Sequence, residues 1–232
     1  MAHISYIVPL GLRCTTAEAF KKRSLRLFAL PFDWLFLSTE VILSCLQDNF
    51  SALLDQKLMR KIGVSGTHPK IFHSKYTPMV PNSDCTFVHH DPSQDTGYAY
   101  FARTVDRFNF IMSAREERKL FTLCCIDPLL WNEDGVRSIF STLKTLTTNF
   151  IFIAVNLESR AGASSSSLLF HEKSADGGAE LIMYNQLMLG TNTGQQFSNR
   201  TDQDYLTTLL MFPPRTDSSI RNPYKFRLKS IN

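Results

Sequence analysis

The chain has 232 residues, 44% of them hydrophobic, and 25 lysines and arginines against 21 acidic residues leave a formal net charge of +4. That composition belongs to a globular domain with enough apolar side chains to bury a full core, and it excludes a low-complexity or disordered chain. No apolar run approaches the roughly 20 residues of a membrane-spanning helix. The basic residues cluster only at Lys21 to Arg26 and Arg215 to Lys229, too few together to mark a nucleic-acid binder.

In chain order, the first predicted element is a strand, "ISYIVPL" at 4–10, which breaks at Gly11. Thr15 and Glu18 then stand at capping-box spacing and open a helix through "TTAEAFKKRSL". "LPFDWLF" at 30–36 places the single carboxylate of Asp33 in an apolar run behind Pro31, which ends the preceding helix. From Ser38, Val41, Ile42, Cys45, Leu46, Phe50 and Leu53 share one face of a predicted helix. Prolines and serines from Gly63 to Asp84 read as a loop, and "TFVHH" at 86–90 as a strand. Tyr98, Phe101, Val105, Phe108 and Met112 then mark another amphipathic helix.

Two continuous apolar runs, "KLFTLCCI" at 119–126 and "FIFIAVNL" at 150–157, suit central strands buried on both faces, and "GVRSIFSTLKTLTT" at 135–148 has the length of the helix crossing between them. The stretch from Glu158 to Gly178, with "SSSS" and "DGG", reads as a long flexible loop. "AELIMYNQL" at 179–187 is the last predicted strand, Gly190 to Thr201 a loop, and 212–232 an extended tail. Alternating helices and strands predict one α/β domain over 1–232, with a mostly parallel, Rossmann-like or flavodoxin-like sheet flanked by helices.

The five cysteines, at 14, 45, 85, 124 and 125, are odd in number and without CxxC spacing, so neither a disulfide framework nor structural zinc is expected. With no signal-peptide pattern at the N-terminus, free thiols fit a reducing, cytoplasmic setting, where the sequons at Asn49 and Asn199 carry no glycan. The histidines show no metal-ligand spacing, and no Gly-rich loop announces a nucleotide, so neither a metal nor another cofactor is expected.

In an open α/β sheet, ligands gather beyond the carboxyl ends of the strands. Cys14 falls there, behind the first strand and at a helix N-terminus whose partial positive charge, with Arg13 beside it, favours thiolate. Gly11, Arg13 and Thr15 therefore border any site built on Cys14. A thiol nucleophile needs a base, and "FVHHD" offers His89, His90 and Asp91. Strand alternation turns the two histidines to opposite sides, and His90, which leaves the strand, is the preferred one. His171 is a second candidate base. Asp33 serves either as a turn cap or as an orienting group, and Trp34 as a packing anchor or substrate wall. Arg103 and Arg107 are like charges one helical turn apart, which invites either Asp106 or an anionic ligand.

Leu10-Gly11-x-x-Cys14, then Pro31-Phe32-Asp33-Trp34, then the His89-His90-Asp91 segment and Arg107-Phe108 resemble a bacterial and viral family of unknown function that carries a papain-like cysteine peptidase label. The resemblance covers about the first half of the chain. It implies Cys14 as nucleophile, His90 or His89 as base, and Asp33 or Asp91 as orienting group. It departs from papain-like expectation in two respects. None of the thirteen residues before Cys14 is the glutamine of the papain-like oxyanion hole, leaving backbone donors at Cys14 and Thr15, and a parallel sheet is unlike the two-lobed papain fold.

Three functions compete. A cysteine hydrolase or acyltransferase would act on a peptide or acyl substrate. A glycosyltransferase would take a sugar-nucleotide donor and a glycan acceptor, with Arg103, Arg107 or lysines neutralising the diphosphate and Asp33 or Asp91 as base, and the resembled family's association with surface-glycan enzymes is in keeping with this. A non-catalytic binding module would leave the Cys and His pair structural. Oligomeric state is open in all three.

Overall fold

The computed structural model describes residues 3–126, 130–159, 165–176, 178–191, 193, 197–211, 225, 226, 229 and 231. Its elements are β1 (Tyr6–Pro9), α1 (Thr15–Lys21), α2 (Thr39–Gln47), the hairpin β2 (Met59–Ser65) and β3 (His68–His73), α3 (Asp95–Ser113), β4 (Lys119–Cys125), α4 (Glu133–Leu146), β5 (Phe150–Ser159), β6 (Ser165–Lys173), β7 (Ala179–Met188) and α5 (Arg200–Met211). The main sheet has five strands in the order β1-β4-β5-β7-β6, parallel except for β6. This is the α/β domain with a mostly parallel sheet and flanking helices that the alternation predicts.

Two cores lie on the two faces of the sheet. β5 contributes Phe150, Phe152 and Ala154 to one, with α2, α3 and α4, and Ile151, Ile153, Val155 and Leu157 to the other, with Phe20 of α1 and Leu206, Leu209 and Leu210 of α5. Burial on both faces is why β4 and β5 are unbroken apolar runs. The strand order steps in one direction from β1 through β4 and β5 to β7. The loop after β1 is therefore at an edge of the sheet, and Cys14 sits on that edge at the carboxyl ends of the parallel strands.

Three expectations are corrected. The loop placed at Gly63 to Asp84 begins with an antiparallel hairpin, turned at Gly66, whose φ of +60° suits a glycine-led two-residue turn. Its strands are half-exposed and carry a proline and several charges, so they lack the apolar alternation that marks a strand. Within the loop placed at Glu158 to Gly178, residues 165–173 form β6, paired antiparallel with β7 along its length. An edge strand with one face toward solvent tolerates serine, and its composition therefore reads as loop. In the third, "TFVHH" forms no continuous strand. Phe87 makes isolated antiparallel bridges to Leu35 and Ile71, and an Asx turn at Asp91, whose Oδ1 accepts from Ser93 N and Ser93 Oγ, then leads the chain toward α3.

α5 begins at Arg200, within the last two residues of the predicted Gly190 to Thr201 loop. Most of the predicted tail at 212–232 lies outside the described residues, though Lys225–Phe226 pairs in parallel with His3–Ile4. No helix among the described residues is long and apolar enough to cross a membrane.

At the amino end of β4, Lys119 is fully buried and its Nζ donates to the carbonyls of Ala114 (2.6 Å), Glu117 (2.7 Å) and Thr148 (3.3 Å). One ammonium thus closes the turn after α3 onto the loop before β5. In Lys119→Met these acceptors lose their donor, and urea denaturation should show a loss of roughly 2–4 kcal/mol.

Candidate active site

Gly11 lets the chain fold back sharply after β1. A Cβ there would stand 2.5 Å from the Arg13 carbonyl oxygen and 3.1 Å from Thr16 Oγ1. The return brings Cys14 to the N-cap of α1, with its side chain 2% exposed. Thr15 is buried beside it, and the Arg13 guanidinium lies over the Phe36 ring at 4.3 Å.

Residues 35–37 connect this loop to the histidine segment. Leu37 N donates to Leu12 O (3.1 Å), Phe36 N donates to Thr86 O (2.9 Å), and Leu35 bridges Phe87. On the far side Ile71 N donates to Phe87 O (3.0 Å) and Thr86 N to Ile71 O (2.9 Å), so the hairpin is laced to the same segment. The result places Cys14 Sγ 3.6 Å from His89 Nε2, across 75 positions of sequence.

His89, and not the preferred His90, is thus the histidine at the thiol. The segment has no regular strand alternation: Phe87 and His90 both contact Phe101, while His89 turns to Trp34 and His68 beside Cys14. His90 turns away and stacks on Tyr100 with ring centroids 3.8 Å apart. Burial, then the neighbouring His68 and His90, hold the His89 imidazole below its ordinary range despite Glu18. It is therefore mostly neutral near pH 7 and able to accept a proton.

The thiol faces a cleft of about 400 Å³ whose walls include Arg13, Phe36, His68, Cys85 and Thr193. His68 and His89 also border a second hollow of about 550 Å³, with Trp34, His90 and Lys21 on its other walls. The two imidazoles form the ridge between them. Cys85 shares the first cleft, but burial pushes its thiol up to about 11, and burial likewise raises Cys45 and Cys124 to about 12.

Asp33 is no orienting group for either histidine. Its buried Oδ2 accepts from Leu30 N (2.9 Å) and from Arg26 Nε (2.9 Å) and Nη2 (2.6 Å). It closes the turn through Pro31 and so sets the start of the 35–37 strip. Trp34 lies between these groups, with Arg26 over its ring at 5.1 Å and its edge against His89 at 5.4 Å. Asp91 Oδ1 is held in its Asx turn by Ser93.

His171 is on β6, at the edge opposite β1, hydrogen-bonded at 2.8 Å to buried Glu180. Arg103 and Arg107 line a separate hollow with Asp106, Phe110 and Ile231. His68 went unmarked in the sequence because its hairpin did, although Gly66-Thr67 between two short runs was a usable turn signal. Among the described residues no group of three His, Cys, Asp or Glu side chains is placed to hold a metal ion.

Residues 5–156 match the protein family described as "Putative papain-like cysteine peptidase", a span that contains Cys14, Asp33, Trp34, His68 and His89. No curated protein matches the chain, and no solved structure matches it.

Burial raises the Asp33 carboxyl above its ordinary range and Arg26 pulls it back. Arg26→Met would strand that carboxylate and should cost about 3–5 kcal/mol in denaturant unfolding at neutral pH. The folded variant then holds a proton that the unfolded chain releases near its ordinary carboxylate range, so falling pH favours its fold. The deficit against wild type should be smaller at about pH 5 than at about pH 8.

Proposed function

The chain belongs to this family, and from that premise we propose that it is a cysteine-dependent hydrolase or acyltransferase in which Cys14 is the nucleophile and His89 the base. The observation that carries the reading is the 3.6 Å approach of Cys14 Sγ to His89 Nε2 at the wall of a cleft. In a neutral imidazole protonated on Nδ1, Nε2 is the acceptor.

In the first step the Cys14 proton passes to His89 Nε2 while the sulfur electron pair forms a bond to the substrate carbonyl carbon. The carbonyl π pair moves onto oxygen, at the start of α1, where the backbone N–H groups of Cys14 and Thr15 and the charge of Arg13 oppose the growing negative charge. Collapse expels the leaving group, which takes the proton from Nε2, and a thioester remains on Cys14. Water, or another acceptor nucleophile, then attacks the thioester as His89 removes its proton, and the thiol is regenerated.

The glycosyltransferase reading has less support. Of the cations it calls on for the diphosphate, Arg103 and Arg107 line a different hollow.

An activated ester tests the proposal without knowledge of the natural substrate. Incubated with p-nitrophenyl acetate, the protein should form an acetyl group on Cys14, seen by peptide mass spectrometry, and then lose it. Cys14→Ala should form none there, and His89→Ala should slow both steps by about 10²-fold. Equal acetylation of Cys14 in wild type and His89→Ala would contradict the assignment.

A further inference from the structure

The reading of Cys14 and His89 as a reacting pair leaves unexplained what holds the imidazole in place. Two rings flank it. Trp34 meets it edge to face, with centroids 5.4 Å apart and planes at 69°, and His68 meets it at 4.8 Å and 66°. His68 comes from β3 in the hairpin, and the backbone bonds between Ile71 and the Thr86–Phe87 segment fix its distance from His89. Counted in antiparallel register from the Ile71 and Phe87 bridge, position 68 falls opposite His90, the neighbour of His89 in the chain. The backbone bonds at Ile71 thus bring the exposed His68 to the histidine segment.

Resting on the dyad reading, we propose that His68 is a positioning residue, which with Trp34 grips the His89 ring from two sides and keeps Nε2 directed at Cys14 Sγ. The same neighbour acts electrostatically. Charge on His68 or on His90, beside it in sequence, opposes charge on His89, whereas Glu18 of α1 favours it. Among the other groups around the ring, Cys14 is the reacting thiol, Trp34 does not titrate, and Lys21 of α1 borders the second hollow with its ammonium on Glu18 at 3.3 Å. His68 thus adds to burial in holding His89 in its proton-accepting form, from an element outside the histidine segment and α1.

Two substitutions at this exposed position separate the roles. His68→Phe keeps a ring against His89 and removes the charge, and His68→Ala removes both. The readouts are the imidazole NMR titration of His89 and the rate of Cys14 alkylation by iodoacetamide as a function of pH, with His89→Ala alongside.

In both His68 variants His89 should titrate at higher pH than in wild type, and the acid limb of alkylation should move up with it. At neutral pH His68→Phe should alkylate within about twofold of wild type, and His68→Ala about tenfold more slowly, as the ring loses a wall. If His89→Ala slows alkylation but both His68 variants keep the wild-type titration and rate, the positioning role is wrong and the dyad stands. If His89→Ala has no effect, the dyad is wrong and the positioning role falls with it.

Discussion

Three residues of extended chain, Leu35 to Leu37, hold the candidate site together. The loop that carries Cys14 is bonded to Leu37 through Leu12, and the segment that carries His89 is bonded to Phe36 through Thr86 and bridged to Leu35 through Phe87. The loop after β1 leaves the edge of the main sheet and the histidine segment lies outside it, so the sheet alone would not bring the two together. The strip makes a thiol and an imidazole from distant parts of the sequence into neighbours, as a missing strand between them would.

The strip itself depends on a buried charge. Asp33 ends the turn that leads into it, with three donors on one carboxylate oxygen, and Arg26 supplies two of them. Removing such a carboxylate from water is costly, so the Arg26 and Asp33 pair is less a source of stability than a constraint that permits one conformation of the turn. Trp34 transmits that constraint to the reacting pair, since the ring that lies under Arg26 also touches His89. The Pro-Phe-Asp-Trp element thus has a physical account as the support of the site, with no carboxylate needed at the imidazole.

The parts of the fold that are legible in the sequence are those buried on both sides. β4, β5 and β7 and the helices α2, α3 and α4 declare themselves because burial forces apolar residues into runs or into one helical face. β6 and the β2–β3 hairpin do not, since half their side chains meet solvent and no continuous apolar run marks them. The site divides in the same way. Cys14 is readable from the break at Gly11 and the cap of α1. The choice between His89 and His90 turns on the path of a segment that forms no regular strand, and the buried partners of that segment, Leu35 and Ile71, are far away in sequence. Asp33 is recognisable as a lone carboxylate in an apolar run, but its partner Arg26 is seven residues back in what reads as a basic surface cluster. A turn with a buried ion pair leaves no periodicity to detect.

The central claim is that the chain delivers His89, and not His90, to the thiol of Cys14. The most direct measurement is the rate of Cys14 alkylation by iodoacetamide at neutral pH, read by peptide mass spectrometry, in the wild type and in His89→Ala and His90→Ala. The account predicts that the rate falls sharply in His89→Ala and stays near wild type in His90→Ala. A fall in His90→Ala alone, or no fall in either, would contradict it.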